Sequence, residues 1–321
     1  MATTAVPKTL QEAIKHYSNL DVCQQELADS RWPNGVTCPH CGSKDVSYLA
    51  NQRRWQCKTK HPRRQFSVKG GTIFEDSPIG LDKWFVAVWL LGAAKNGISS
   101  YEIHRAIGVT QKTAWFMLHR IRLAMQVDDG GKLDGGIEVD ETYIGAKARN
   151  MHKGKRARVL QGRKGGLSGK IAVMGLLQRH PDKGESRIRL RVVRNPRREE
   201  LTHHIKENVE QGANVYTDSL PSYDMLHHDG YIHDVINHAE KYADGIVHTN
   251  GMENFWSLLK RTLGGTYVSV EPFHLFRYLD EQAFRFNARK DVDSGRFADV
   301  LKSVSGRRVM YKELIAQERP A

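Results

Sequence analysis

The sequence predicts a multidomain α+β protein: a small metal-stapled ribbon, then a run of helices, then a domain in which strands and helices alternate. Three observations predict it. Three of the four cysteines fall between Cys38 and Cys57. Apolar residues recur at helical spacing from Leu81 to Met125. From Gly136 to about Arg289 runs of period two give way repeatedly to helical runs.

The 321 residues suffice for two or three domains with real cores. Apolar and charged fractions of 40% and 26% are ordinary for a soluble protein. The sign of the charge is not ordinary: 49 Lys and Arg against 36 Asp and Glu give a net +13. That balance favours a polyanionic partner, most simply nucleic acid. The charges are also segregated. No acidic residue stands between Glu141 and Asp182, where Lys147, Arg149, Lys153, Lys155, Arg156, Arg158, Arg163, Lys164 and Lys170 cluster. None stands between Asp45 and Glu75, where Arg53, Arg54, Lys58, Lys60, Arg63, Arg64 and Lys69 lie. Solvated loops rarely segregate one sign so completely. No apolar run reaches a membrane span, the N-terminus lacks a signal-peptide core, and clustered cysteines in such a chain suit metal. A cytoplasmic protein is expected.

Residues 8–29 read as an amphipathic helix with a break, on Leu10, Ala13, Ile14, Tyr17 and Leu20. The ribbon follows, and Pro78 and Gly80 close the segment 1–79. Cys38-Pro-His-Cys41 is a metal knuckle, and Cys57 with His61 forms a second pair. One tetrahedral zinc held by Cys38, Cys41, Cys57 and His61 is expected, with His40 and Cys23 as competing ligands. So small a ribbon needs its ion to be stable.

Segment 80–130 carries a helix-turn-helix pattern. Ser99 or Ser100 caps the first helix, Gly108 makes the turn and Thr110 caps the second. Ile103, Ile107, Val109, Ala114, Met117, Leu118 and Ile121 form its core. The second helix presents Gln111, Lys112, Thr113 and Trp115 near its start, residue types that reach phosphates and base edges. Arg53, Arg54, Arg63 and Arg64 are the matching phosphate contacts expected on the ribbon.

Asp128-Asp-Gly-Gly131 and Asp134-Gly-Gly136 read as a linker into segment 131–290. Its expected order is strand 136–144, a basic loop, strands 170–178 and 187–193, helix 197–209, strand 213–217, an undefined region, helix 251–262 and a helix near 272–287. Residues 291–321 are expected to be a polar, loosely held tail. Asp140 falls in the first strand, Asp218 closes the fourth and Glu253 opens the helix that follows. Three carboxylates from two strands and a helix can hold two magnesium or manganese ions, which activate a water or 3′-hydroxyl against a phosphodiester. Glu138 and Thr142 share the strand face of Asp140, whereas Glu141 points the other way. Asp224 rivals Asp218, and His238, His248 and Asn250 crowd the same region. Glu253, Ser257 and Lys260 share one helix face, opposite a core stripe of Met252, Phe255, Trp256, Leu259 and Leu263.

These segments together resemble the bacterial insertion-sequence transposases that begin with a zinc ribbon and carry an ISXO-type DDE domain. The resemblance rests on Arg31-Trp-Pro-Asn-Gly-Val-Thr-Cys-Pro-His-Cys-Gly42, Gln65-Phe-Ser-Val-Lys-Gly-Gly-Thr-Ile-Phe74 and Glu138-Val-Asp-Glu-Thr-Tyr-Ile-Gly145. It rests also on Val215-Tyr-Thr-Asp218, Asn237-His238 and the run from His248 through Arg261. It spans roughly residues 10–290 and implies a ribonuclease-H-like core, α/β with a mixed sheet, and DNA transposition. On the matching positions Asp140 and Asp218 are the first two acidic residues. The third varies in the family between asparagine and glutamate, and both Asn250 and Glu253 are present here. Glu253 is preferred because a carboxylate binds magnesium better and Lys260 follows two turns later. The second zinc knuckle departs from the family's usual C-x-x-C.

The expected protein is thus a DNA transposase that binds the element's terminal inverted repeats, hydrolyses a phosphodiester there and joins the freed 3′-hydroxyl to target DNA. Its partners would be double-stranded DNA and further copies of the chain assembled on it. A zinc-ribbon, helix-turn-helix regulator with an inactive nuclease-like domain is one rival. A nuclease that cuts without joining is another.

Overall fold

The computed structural model describes residues 6–126, 130–145, 152–154, 157, 170–179, 186–194, 196–218, 220–236 and 248–315. The chain divides into two compact units, residues 1–126 with 288–321, and residues 127–287.

The first unit opens with α1 (Leu10–Tyr17) and α2 (Leu20–Arg31). The expected break between them is real: Asn19 leaves the helix and its side chain caps Asp21 N–H at 2.9 Å. Three short strands follow, β1 (Val46–Leu49), β2 (Arg54–Cys57) and β3 (Gln65–Phe66), paired antiparallel in that order. Trp55 and Phe66 stack on this ribbon with ring centroids 6.0 Å apart. The helical run is then three helices: α3 (Leu81–Ala93), α4 (Ser100–Ile107) and α5 (Gln111–Ala124). Ser99 forms a full capping box with Glu102, and Thr110 caps α5 through Thr113 N–H. Gly108 turns the chain between them at φ +62°, a conformation that glycine adopts without steric cost. Ile103, Ala114, Met117, Leu118 and Ile121 are buried, as expected.

In the second unit a five-stranded mixed sheet has the order β6-β5-β4-β7-β8. Its strands are β4 (Gly136–Ile144), β5 (Ile171–Arg179), β6 (Arg187–Val193), β7 (Asn214–Asp218) and β8 (Ile232–Ile236). β4, β5 and β6 pair antiparallel, while β7 runs parallel to β4 and β8 parallel to β7. β8 lies in the stretch where the sequence shows no clear pattern. It is an edge strand with exposed Ile232 and Val235, so its residues do not alternate as a half-buried strand should. Helices α6 (Arg198–Asn208), α7 (Asn250–Gly265) and α8 (Leu275–Asn287) complete the unit.

Alternation along the strands divides the core in two. Ile137, Val139, Met174 and Leu176 pack with Leu201 and Ile205 of α6. Val173, Leu177 and Ile188 pack with Met252, Phe255, Trp256 and Leu259 of α7 and with α8. Layers on both faces explain why β5 reads as an unbroken apolar run.

The segment after Lys290, expected to be a loose polar tail, returns to the first unit as α9 (Asp293–Lys302) and α10 (Tyr311–Ile315). Phe297 sits among Tyr17, Phe85 and Trp89 at centroid distances of 5.1, 5.4 and 5.6 Å, and Val300, Leu301 and Val304 are buried. Only four apolar residues of α9 and its C-terminal end enter that core, too few to outweigh the polar composition when the sequence is read alone. Among the described residues, no helix is long and apolar enough to cross a membrane.

Candidate active site and metal centre

The ribbon gathers the four expected zinc ligands. The ligand atoms of Cys38, Cys41, Cys57 and His61 all lie within 4.8 Å of one another. Cys38 Sγ stands 3.4 Å from His61 Nε2, and Cys41 Sγ stands 3.6 Å from Cys57 Sγ. A tetrahedron with Zn–S bonds of ~2.3 Å has edges of about 3.8 Å, so the set fits one zinc ion. The loop Cys38–Gly42 closes on itself, with Gly42 N–H bonded to Cys38 O at 2.8 Å. Burial works to raise the Cys38 thiol, but N–H groups of His40 and Cys41 hold it below the ordinary range. Cys57 is lowered likewise against its burial, chiefly by His61. Thiolates are the form that binds metal. The competitors fall away: His40 is outside the cluster, and buried Cys23 instead donates to Tyr17 O at 3.1 Å.

The three acidic candidates converge on one face of the sheet. β4 and β7 pair Glu138 with Tyr216, so Asp140 and Asp218, each two residues further along parallel strands, share that face as neighbours. α7 covers the same face through Met252 and Trp256, and Glu253 stands exposed in its first turn. Burial raises the Asp140 carboxyl to about 6, with the charges of Asp218 and Glu253 adding to it. Two donors oppose that rise: Glu141 N–H reaches Asp140 Oδ1 at 2.8 Å, and the indole N–H of Trp256 reaches Oδ2 at 2.9 Å. Asp218 Oδ1 accepts Leu220 N–H at 3.2 Å. Asn250 is the exposed first residue of α7, and Lys260 is exposed on the helix side that carries Glu253. Asp224 follows a 3₁₀ turn after β7, and its charge acts on His233.

Carboxylate oxygens are the donors that magnesium selects, and Asp140, Asp218 and Glu253 offer them, the first two partly buried and the third exposed. Among the described residues, the Cys3His set is the one group of three or more such side chains gathered closely enough to hold a metal ion as it stands. Asp140 is held by hydrogen bonds instead. Glu141 points to the opposite face, as expected, yet burial followed by the charges of Asp140 and Asp218 raises it to about 8.

Glu138 is the residue whose role sequence reasoning missed. It is 1% exposed, and its Oε2 accepts Met252 N–H at 2.9 Å at the start of α7. Its Oε1 accepts Arg179 Nε at 2.6 Å and lies 3.4 Å from His248 Nδ1. Arg179 also bonds the His248 carbonyl and lies over the Tyr216 ring at 4.4 Å. A Cβ on Gly251 would come within 2.8 Å of Glu138 Oε2 and press on the carboxylate that Met252 and Arg179 hold. The period-two spacing of Glu138 and Asp140 was the available signal, since it places both carboxylates under one helix.

The expected DNA contacts divide. Arg54 and Arg63 are exposed, and Arg63 lines a cleft of about 710 Å³ beside His40, Gln65 and Gly70. Arg53 pairs with Asp21 at 2.6 Å. Arg64 donates to Cys57 O at 3.0 Å, which ties it to the zinc knuckle. Gln111 Nε2 donates to Ser100 Oγ at 2.8 Å, Lys112 Nζ lies 4.6 Å from the centre of the Tyr311 ring, and the Thr113 hydroxyl meets Thr110. Asn237, His238 and most of the basic run from Lys147 to Lys164 lie outside the described residues, as do residues 127–129 of the expected linker.

Comparison with known proteins places both segments in transposase families. Residues 132–287 match the family model of the ISXO2-like transposase domain, and residues 19–59 match that of the transposase zinc-ribbon domain. The chain is 31% identical over 294 residues to an uncharacterized protein in transposable element ISH50 of Halobacterium salinarum, covering 87% of this chain and 93% of that protein. It is 36% identical over 96 residues to an uncharacterized transposase-like protein of Haemophilus influenzae, covering 30% of this chain and 77% of that one. A chain from a simian T-cell lymphotropic virus intasome in complex with a PP2A regulatory subunit aligns at 13% identity and a TM-score of 0.28, over 56% of this chain and 63% of that one, a likeness too slight to bear on the fold. With its ribbon, its mixed α/β domain and a relative matched along nearly its whole length, the chain belongs to the ISXO2-like insertion-sequence transposases.

Proposed function

We propose that this transposase cuts and joins DNA at Asp140, Asp218 and Glu253 in a ribonuclease-H-like domain. One observation carries the reading: Asp140 and Asp218 are same-face neighbours on parallel strands beneath the helix that bears Glu253. The strand order, three antiparallel strands followed by two parallel additions, supports a ribonuclease-H-like sheet. Asp140, Asp218 and Glu253 would hold two magnesium or manganese ions, which supply Lewis acidity and an activated water or 3′-hydroxyl. The protein's own part is positioning. Glu138 fixes the start of α7 over the sheet, and the Glu141 N–H holds one oxygen of Asp140. Lys260, on the exposed side of the same helix, would counter the charge of the phosphate being attacked. No covalent enzyme intermediate is required.

The zinc ribbon and the α4–α5 pair would bind the terminal inverted repeats, with α5 as the recognition helix of a helix-turn-helix. Copies of the chain would assemble on the repeats, and the protein would act in the cytoplasm where that DNA lies. Asp140→Ala, Asp218→Ala and Glu253→Ala should each abolish magnesium-dependent cleavage of a repeat-bearing duplex while leaving gel-shift affinity nearly intact. Robust cutting by either aspartate variant overturns the assignment. Activity in Glu253→Ala together with its loss in Asn250→Ala would move the third position to Asn250.

A further inference from the structure

We propose that Trp256 is a positioning residue for Asp140, and that Gly175 is the gap in the sheet that allows it. This inference rests on the reading of Asp140 as a ligand for a divalent ion.

Trp256 belongs to the apolar stripe of α7 and is 4% exposed. A tryptophan so placed needs a partner for its N–H. It finds Asp140 Oδ2 at 2.9 Å. The partner is thus a carboxylate of the candidate site. The register explains how the ring gets there. Asp140 stands directly opposite Gly175 on the paired strand β5. A Cβ on Gly175 would come within 2.9 Å of the Trp256 ring and 2.2 Å of Met252 Cε. Any other residue at 175 would fill the space beneath the indole and lift its N–H away from Asp140. Glycine in a strand interior weakens the sheet and often marks a close approach. Here the approach is that of the indole.

The consequence is a fixed carboxylate. Oδ1 takes the Glu141 N–H and Oδ2 takes the indole, so each oxygen of Asp140 is held from one side and keeps a lone pair for another partner. A ligand locked in this way does not have to be ordered when an ion arrives. Outer partners of metal ligands typically contribute about 10–100-fold in metal affinity.

The test uses the full chain. Manganese binding is followed by the loss of its free-ion electron paramagnetic resonance signal, for wild type, Trp256→Phe and Asp140→Asn. Trp256→Phe keeps the ring in the core and removes the N–H. It should remain folded and weaken manganese binding about ten-fold. In protein labelled with 5-fluorotryptophan, the ¹⁹F resonance that disappears in Trp256→Phe should move on magnesium addition in wild type and stay still in Asp140→Asn. Gly175→Ala should weaken manganese binding with Trp256 still present, and it serves if Trp256→Phe does not fold. Wild-type affinity in a folded Trp256→Phe, or a stationary resonance while manganese binds, overturns the inference and leaves the metal site standing. Absence of manganese binding in wild type, or binding indifferent to Asp140→Asn, overturns the metal site and this inference with it.

Discussion

Glu138 accepts the backbone N–H of Met252 at 2.9 Å, so a carboxylate two residues before Asp140 grips the first turn of the helix that carries Glu253. The grip suits the helix end, where unpaired N–H groups and the positive end of the dipole attract an anion. It also joins the three elements that matter. Glu138 is on β4 with Asp140, Tyr216 under Arg179 is two residues from Asp218 on β7, and Met252 adjoins Glu253.

Replacing Glu138 with Ala would take the acceptor from the Met252 N–H and the paired carboxylate from Arg179, which would keep its His248 contacts. Removing one partner of a buried pair costs about 3–5 kcal/mol. Glu138→Gln keeps an acceptor for Met252 and should lose less, about 1–3 kcal/mol. Urea unfolding of the three proteins measures both. A Glu138→Ala variant within experimental error of wild type would remove Glu138 from the positioning role.

Asp140 makes stability depend on pH. Burial, with the charges of Asp218 and Glu253, raises its carboxyl from 3.8 to about 6. A folded value above the unfolded one means that the fold favours the protonated acid. Its contribution is full below about 3.8 and is lost as pH rises through about 6. In magnesium-free buffer, Asp140→Asn should therefore be more stable than wild type by roughly 1–3 kcal/mol above pH ~6, with the gap closing towards pH ~4. Magnesium should raise the melting temperature of wild type and not of the variant. Parallel melting curves for both proteins across this range would contradict the buried, charged Asp140.

Much of this was legible because side-chain chemistry and spacing coincide. Cys38, Cys41, Cys57 and His61 could be picked out since few other roles suit such a set. Asp140, Asp218 and Glu253 stood out as an acid inside one strand-like run, an acid closing another and an acid opening a helix. The rest depended on contacts between distant segments. Arg179 meets Glu138 across 41 positions and Trp256 meets Asp140 across 116, and neither pairing leaves a local pattern. Arg64 looked like a phosphate contact because charge alone does not show that a guanidinium is turned inward onto Cys57 O.

The zinc knot should hold the ribbon together. Its strands are two to four residues long, too short to be stable without the ion. The purified protein should carry about one zinc per chain. Cys38→Ser and Cys57→Ser should lose it, and tryptophan emission should then shift to the red as Trp55, 8% exposed, meets water. Fresh reduced protein without zinc, or variants with unchanged emission, would count against a structural ion.

Phe297 gives the C-terminal segment its hold on the first unit. Phe297→Ala should cost about 3–5 kcal/mol through the cavity left beside Tyr17, Phe85 and Trp89. Denaturant titration would show it, and a loss under about 1 kcal/mol would mean that the site collapses or that the segment is dispensable.

Contacts to DNA should separate into positioning and reading. Arg63 is exposed beside the zinc knuckle and lines a cleft with His40 and Gln65, a placement that suits a phosphate contact. Arg63→Ala should weaken repeat and scrambled duplexes alike and lower the slope of log affinity against log salt by about 1. Gln111 begins α5 and spends its amide on Ser100 at 2.8 Å, so reading a base edge requires it to exchange that partner. Gln111→Ala should still cost about 1–3 kcal/mol against the cognate repeat and little against random DNA. Arg64→Ala should behave differently from both, because it frees the Cys57 carbonyl and so loosens the zinc site. Competition gel shifts at several salt concentrations, with zinc content measured on the same samples, distinguish the three. Equal affinity of wild type for repeat and scrambled DNA would refute end recognition, and an Arg63→Ala loss confined to the repeat would make that residue a reader of sequence.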